Sequence, residues 1–248
     1  MGIVQIHQLD CAPVRPYFPP VPSATLCTLV VADEELILID TGFGTQDLSA
    51  PSVKMRLFLA LMRTPRDQAV TAVNQIAALG YPPEHVRHIV VTHLHLDHNG
   101  GLFDFPHALV HITRTEFEIA MKPRGVRRLF YDRSQWRHGP RWRIHDEVQP
   151  GAWFGFDAIE IPEIHSARLL MVPLVGHSPG HAGVAVEAPG GWLFHCGDAL
   201  PFGGLDSPAS DRISPTVCGP HIARLRQLAR DHSDEIRIVS SHVPPRDC

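Results

Sequence analysis

The chain has 248 residues, a formal net charge of −4 and 44% hydrophobic residues, enough for one large domain with a substantial core. That slight acidity gives no general electrostatic attraction to nucleic acid or an anionic membrane. The five cysteines, Cys11, Cys27, Cys196, Cys218 and Cys248, are scattered, with no C-x-x-C pair. This argues against a disulfide scaffold and for a reducing, cytoplasmic setting. No signal-peptide pattern opens the sequence, and the most apolar helical stretch, 55–62, is too short to span a bilayer.

In chain order, residues 3–9 read as a first strand, followed by a Pro-rich segment over 13–22. Residues 26–31 and 35–39 form two strands joined by a tight turn, and the second runs into Asp40-Thr41-Gly42. Residues 51–64 are mixed apolar and basic, a short helical insert. Residues 66–79 have helical apolar spacing through Val70, Val73 and Ile76, ending at Gly80. Residues 86–91 make the strand that delivers His93-Leu94-His95-Leu96-Asp97-His98.

In an extended segment side chains alternate, so His93 and His95 share one face while Leu94 and Leu96 point into packing. A turn beyond the strand end brings Asp97 and His98 close by. Three imidazoles and a carboxylate suit zinc and similar first-row ions.

Beyond the motif, 108–112 is a strand and 113–121 a helix capped by Thr113, with Glu116 three residues on. The stretch 122–145 interleaves seven arginines with Phe130, Tyr131, Trp136 and Trp142. Given the acidic chain it is read as a lid, or as the face of a homodimer where Arg and aromatics are enriched, ahead of a nucleic-acid surface. Strands follow over 158–161, 169–174, 182–188 and 192–196, then a helix over 220–231 and a strand over 236–239. Between and after them come Gly176-His177-Ser178-Pro179-Gly180-His181, Gly197-Asp198-Ala199 and Ser240-Ser241-His242. Asp40, His93, His95, Asp97, His98, His177, Asp198 and His242 each follow a strand, as loop residues at one sheet edge would. No repeat or linker marks a second domain.

This order of motifs resembles the metallo-β-lactamase superfamily over nearly the whole chain, most specifically in H-x-H-x-D-H and G-H-S-P-G-H. The resemblance implies an α/β fold, a four-layer αβ/βα sandwich of two mainly antiparallel or mixed sheets flanked by helices. It implies two divalent metal ions, zinc first, with manganese, iron or cobalt as alternatives. His93, His95 and His177 would hold one, Asp97, His98 and His242 the other, and Asp198 would bridge them. Asp40 would brace a ligand imidazole from behind.

Within the superfamily the chain is most similar to the N-acyl-homoserine lactonases, in the Leu79-to-Pro83 and Thr113-to-Phe117 flanks and in Val175-Gly176-His177. The implied activity is hydrolysis of a small-molecule ester bond, a lactone first, by a hydroxide shared between metals ~3.5–4 Å apart. Asp97 would shuttle a proton to the leaving group. Phosphotriester, phosphodiester and thioester hydrolysis are the alternatives. One departure stands out: those lactonases carry a Tyr shortly after the bridging Asp, and here Ala199-Leu200-Pro201-Phe202 follows Asp198. Phe58 and Met62 of the insert, Tyr131 of the lid and Phe202 are the expected pocket residues. Tyr131 is a candidate substitute hydroxyl.

Overall fold

The structure is a computed structural model that describes residues 4–11, 13–17, 23–33, 35–200, 204–205 and 219–243. Its core is built on two six-stranded sheets. The first has the order β1-β2-β3-β4-β5-β6, with β1 Val4–Asp10, β2 Leu26–Ala32, β3 Glu35–Ile39, β4 Val86–Val90, β5 Leu109–Thr113 and β6 Arg141–His145. The β1–β2 and β2–β3 pairs are antiparallel, and β3 through β6 run parallel. The second has the order β12-β11-β10-β9-β8-β7, with β7 Gln149–Trp153, β8 Phe156–Glu160, β9 Leu169–Pro173, β10 Ala182–Ala188, β11 Gly191–His195 and β12 Ile236–Val239. It is antiparallel except for the β11–β12 pair.

Period-two alternation explains the layering. On β3, Ile37 and Ile39 join Val30, Val90, Met171, Val184 and Val186 between the sheets. Leu36 and Leu38 of the same strand face the other way, into a cluster with Ile76, Ile89, Phe105 and Ala120. That outer cluster is covered by α3 Ala72–Ala78 and α4 Arg114–Met121. Outside the second sheet, Ile222, Leu225 and Leu228 of α5 Gly219–Asp231 pack on Trp153, Leu170, Val172 and Phe194. Each such buried aliphatic side chain contributes about 1.5–3 kcal/mol, and their sum holds a helix–sheet–sheet–helix stack.

Two shorter helices complete the site edge, α1 Thr45–Ser49 and α2 Val53–Met62. The insert is therefore helical, capped by Ser52, whose hydroxyl accepts from Met55 N. Expected helix 66–79 is shorter, a 3-10 turn at Gln68–Val70 followed by α3. Within 122–145, Arg141–His145 is a strand and not lid, pairing with β5. Both β6 and β7 escape the sequence pattern. Their burial is slight on the outer faces, and β7 contains Pro150 and Gly151, which are tolerated on an edge strand. Phe202 and much of the Pro-rich segment lie outside the described residues.

Candidate active site

The parallel strand β4 ends at Val90, and the backbone carries Thr92 to His98 across the sheet edge. Leu94 and Leu96 are buried, Leu94 under the first sheet and Leu96 in a cluster with Phe43, Leu48, Met55 and Leu59. Their burial turns the alternating His93, His95 and Asp97 towards the opposite edge.

There they meet residues from three other loops. Ligand-type atoms of His93, His95 and His177 lie within 4.8 Å of one another, as do those of Asp97, His98 and His242. Asp198 stands between the sets: Oδ2 is 3.3 Å from His177 Nε2 and 3.1 Å from His242 Nε2, and Oδ1 is 3.3 Å from His98 Nε2. Asp97 reaches the second set, 3.6 Å from His242 Nε2 and 3.8 Å from His98 Nε2. His95 Nδ1 lies 2.9 Å from His177 Nε2.

Asp40 sets the tautomers. Its backbone is left-handed, at φ 55°, a conformation that Asp tolerates better than most residues. This aims the carboxylate at β4, where Oδ1 accepts Thr92 N and Oδ2 accepts the Thr92 hydroxyl, both at 2.7 Å. Oδ2 also lies 2.9 Å from His98 Nδ1. A carboxylate only accepts, so His98 Nδ1 donates and Nε2 is left for the cluster. Because the Thr92 proton goes to Asp40, His93 Nδ1 must donate to Thr92 Oγ1, 3.0 Å away. His93 Nε2 is then a lone pair, and it is buried without a hydrogen-bond partner among the described residues. His242 follows the same pattern, with Nδ1 2.8 Å from the acceptor Ala24 O. Imidazoles with one nitrogen anchored and the other aimed at a shared point are what a metal site requires.

The electrostatics agree. Burial pushes the His93, His95 and His177 pKa values down, helped for His93 and His95 by neighbouring histidines, so these imidazoles are neutral. Burial opposes charge on His98 and His242 too, but nearby carboxylates outweigh it. Asp198 and Asp97 raise His98 well above its usual value, and Asp198 brings His242 to about 9. Asp198 itself is held well below the carboxylate range against its burial, by His242, His98 and His177. The carboxylates thus demand positive charge, which a bound cation would supply in place of those protons. The donor set of imidazoles and carboxylates fits two first-row divalent ions.

Two residues to which the sequence assigned no part in the site hold this arrangement. His181, from G-H-S-P-G-H, donates Nδ1 to Leu174 O at 3.2 Å and accepts Asp198 N at Nε2, 3.0 Å away, fixing the loop that carries Asp198. Glu116, expected only as a capping partner, is wholly buried. Its Oε1 accepts Leu94 N and the Tyr131 hydroxyl, each at 3.0 Å, and Oε2 accepts the Ser178 hydroxyl at 2.5 Å. One carboxylate thereby ties together the His93–His95 loop, the His177 loop and the segment that carries Tyr131. Gly180 permits this approach, since a Cβ there would lie 2.1 Å from Glu116 N.

Of the expected pocket residues, Tyr131 is 2% exposed, with its hydroxyl on Glu116 and its ring 5.0 Å from that of His95. Phe58 and Met62 are partly buried against the Phe43–Leu48–Leu96 cluster, with Phe58 6.1 Å from the Phe43 ring. Leu200, a neighbour of Phe202, is 1% exposed and belongs to the core outside the second sheet.

Comparison with known proteins places this geometry. The model of the Metallo-beta-lactamase superfamily matches residues 20–240. A probable metallo-hydrolase of Mycobacterium tuberculosis is 38% identical over 257 residues, covering 97% of this chain and 81% of that protein. An N-acyl homoserine lactonase of Bacillus thuringiensis is 26% identical over 216 residues, covering 82% of this chain and 76% of that one. Among solved structures, an N-acyl homoserine lactone hydrolase with N-hexanoyl-L-homoserine at its catalytic metal center has a TM-score of 0.71 at 19% identity. It covers 98% of this chain and 95% of its own. The dizinc quorum-quenching lactonase AidC has a TM-score of 0.62 at 16% identity, covering 98% and 89%. These structural likenesses show the fold. The chain belongs to the metallo-beta-lactamase superfamily and is a metal-dependent hydrolase.

Proposed function

We propose that this chain is a dinuclear hydrolase that opens lactones of the N-acyl-homoserine type, with Asp198 shared between two metal ions. The observation that carries the reading is the position of Asp198 between two sets of three ligand-type residues, within 3.3 Å of His98, His177 and His242. The lactone assignment draws on a relative named as a lactonase and on the products bound in two solved structures of similar fold.

His93, His95 and His177 would hold one ion, and Asp97, His98 and His242 the other. When bound, such ions supply Lewis-acid polarisation of the scissile carbonyl and acidify water towards neutral pH. The chain's own residues do the rest. Asp40 keeps Nε2 of His98 available and, through Thr92, orients His93. Asp97 is partly exposed at the edge of the cluster and lies beside His98 and His242. It is the group placed to carry a proton to the departing alkoxide. Glu116 keeps the three loops in register, holding the reacting groups in one geometry.

A second reading, hydrolysis of phosphotriesters or thioesters, is favoured by one observation. Tyr131's hydroxyl is spent on Glu116, and Ala199 and Leu200 after Asp198 bring none. A site without a carbonyl-directed hydroxyl should favour substrates with good leaving groups. The test is a screen of metal-reconstituted protein against acyl-homoserine lactones, other lactones, thioesters, phosphotriesters and β-lactams. Lactone opening with the highest kcat/KM supports the first reading. Turnover of phosphotriesters or thioesters with inert lactones would replace it with the second.

A further inference from the structure

Three histidines remote from one another in sequence meet on the face of the first sheet that looks towards the second. His88 on β4, His111 on β5 and His145 on β6 form a ladder across parallel strands. His88 Nδ1 is 2.9 Å from His111 Nε2, and His111 Nδ1 is 2.9 Å from His145 Nε2. Glu35 stands at one end, with Oε1 3.3 Å from His88 Nε2. Glu163, on the loop between β8 and β9 of the second sheet, stands at the other. Ligand-type atoms of His111, His145 and Glu163 lie within 4.8 Å of one another.

The proton order along the ladder follows from Glu35. A carboxylate accepts, so His88 carries its proton on Nε2 and presents Nδ1 as an acceptor. His111 Nε2 must then donate to it, which leaves His111 Nδ1 as a lone pair. Burial, reinforced by His88 and His145, pushes the His111 pKa to about 3, so no second proton resides there. That lone pair accepts the Nε2 proton of His145, 2.9 Å away and itself buried, so an ion bound here would take the place of that proton. A second observation comes from Glu163. Arg143 pairs with Oε1, while Oε2 is sealed from solvent and has no hydrogen-bond partner among the described residues. A shielded carboxylate oxygen without a donor is costly, and such groups commonly mark an ion or water site.

We propose that His111, His145 and Glu163 form an auxiliary metal site, separate from the active centre, that takes one divalent first-row ion and joins the two sheets. Two imidazole nitrogens and a carboxylate oxygen suit Zn2+ or Co2+. Ligands of a tetrahedral zinc lie ~3.4 Å apart, so the 2.9 Å pair needs to open slightly and Glu163 to rotate inwards. Glu35 and His88 serve behind His111, as a carboxylate–histidine pair fixing its tautomer. The Glu163 side chain is 25% exposed at its other atoms, so the rotation that brings the carboxylate inwards would also open the way from solvent. Binding to the folded state alone stabilises it by mass action, here across the interface between the sheets.

The experiment is metal counting and thermal unfolding with Zn2+ as the probe, on four full-length proteins. These are wild type, His93→Ala/His98→Ala, His145→Gln/Glu163→Gln, and the combination. The active-centre variant is expected to keep about one tightly held equivalent and to gain Tm with Zn2+. The combination loses both, and His145→Gln/Glu163→Gln alone holds one equivalent fewer than wild type. Equal zinc content with and without the His145 and Glu163 substitutions overturns the proposal. Should a variant not fold, anomalous scattering at the zinc edge from crystals of the loaded wild type decides. A peak bounded by His111, His145 and Glu163 is expected, and peaks at the active centre only would refute the site. Absence of hydrolysis would leave these readouts unchanged, so the two proposals fail separately.

Discussion

Asp40 Oδ2 lies 2.9 Å from His98 Nδ1, with both side chains fully buried. Replacing it by Asn keeps a residue suited to the left-handed backbone at this position. It removes the fixed anion that holds the His98 tautomer and the Thr92 hydroxyl. Asp40→Asn should weaken metal affinity at the active centre about 10–100-fold, read by chelator competition, with unchanged circular dichroism. Wild-type affinity would mean that the hydrogen bond orients nothing of consequence.

Asp198→Asn tests the shared carboxylate. Loss of the anion between His98, His177 and His242 should cut kcat ~100-fold or more and release metal from the active centre while the fold persists. Near-normal turnover with full metal content would show that Asp198 is not the bridge.

Tyr131→Phe separates positioning from catalysis. Its hydroxyl donates to a buried carboxylate, an interaction that typically contributes about 1–3 kcal/mol. Denaturant unfolding should show a loss of that order, and kcat should change only a few-fold. A large fall in kcat at unchanged stability would place the hydroxyl on the substrate instead.

Phe58→Ala addresses the insert. Phe58 is only partly buried against Phe43 and its neighbours, so the loss should fall below the ~3–5 kcal/mol of a core Phe truncation. KM for long-chain and short-chain lactones should move together. A selective rise in KM for long chains would put Phe58 in the acyl pocket.

Asp47 supplies a pH signature. Burial raises its carboxyl to about 7 against the opposing hydrogen bonds from Gln135 and Gly44. The folded state therefore holds a proton that the unfolded state has lost between about pH 4 and 7. Stability contributed by this group falls as pH rises through that window and levels off above it. Chelator-treated Asp47→Asn should show a flatter profile than chelator-treated wild type and greater stability at pH 8. Parallel curves would refute the assignment.

Much of the site was legible in one dimension because its ligands are concentrated locally. His93, His95, Asp97 and His98 share one strand exit, and period-two alternation with Leu94 and Leu96 sorts side chains by face without knowledge of the partner sheet. Strands β2, β3, β9 and β10 are legible as short, nearly continuous apolar runs, because both of their faces are buried. Edge strands β6 and β7 are not, since a half-exposed strand carries Arg, Pro and Gly that imitate a loop.

Tertiary structure alone decided where the remaining polar groups went. A capping-box reading of Thr113 and Glu116 uses three residues of chain, whereas Glu116 spends its carboxylate on Leu94, Tyr131 and Ser178, brought from three loops. His181 looks like His177 in sequence, yet it faces Leu174 O and Asp198 N. His88, His111 and His145 carry no common motif; only the parallel pairing of β4, β5 and β6 stacks them. Side-chain type and alternation are local properties of the chain. The partner of a buried donor or acceptor is set by which strands pack together, because burial removes water as the default partner and leaves only what the fold supplies.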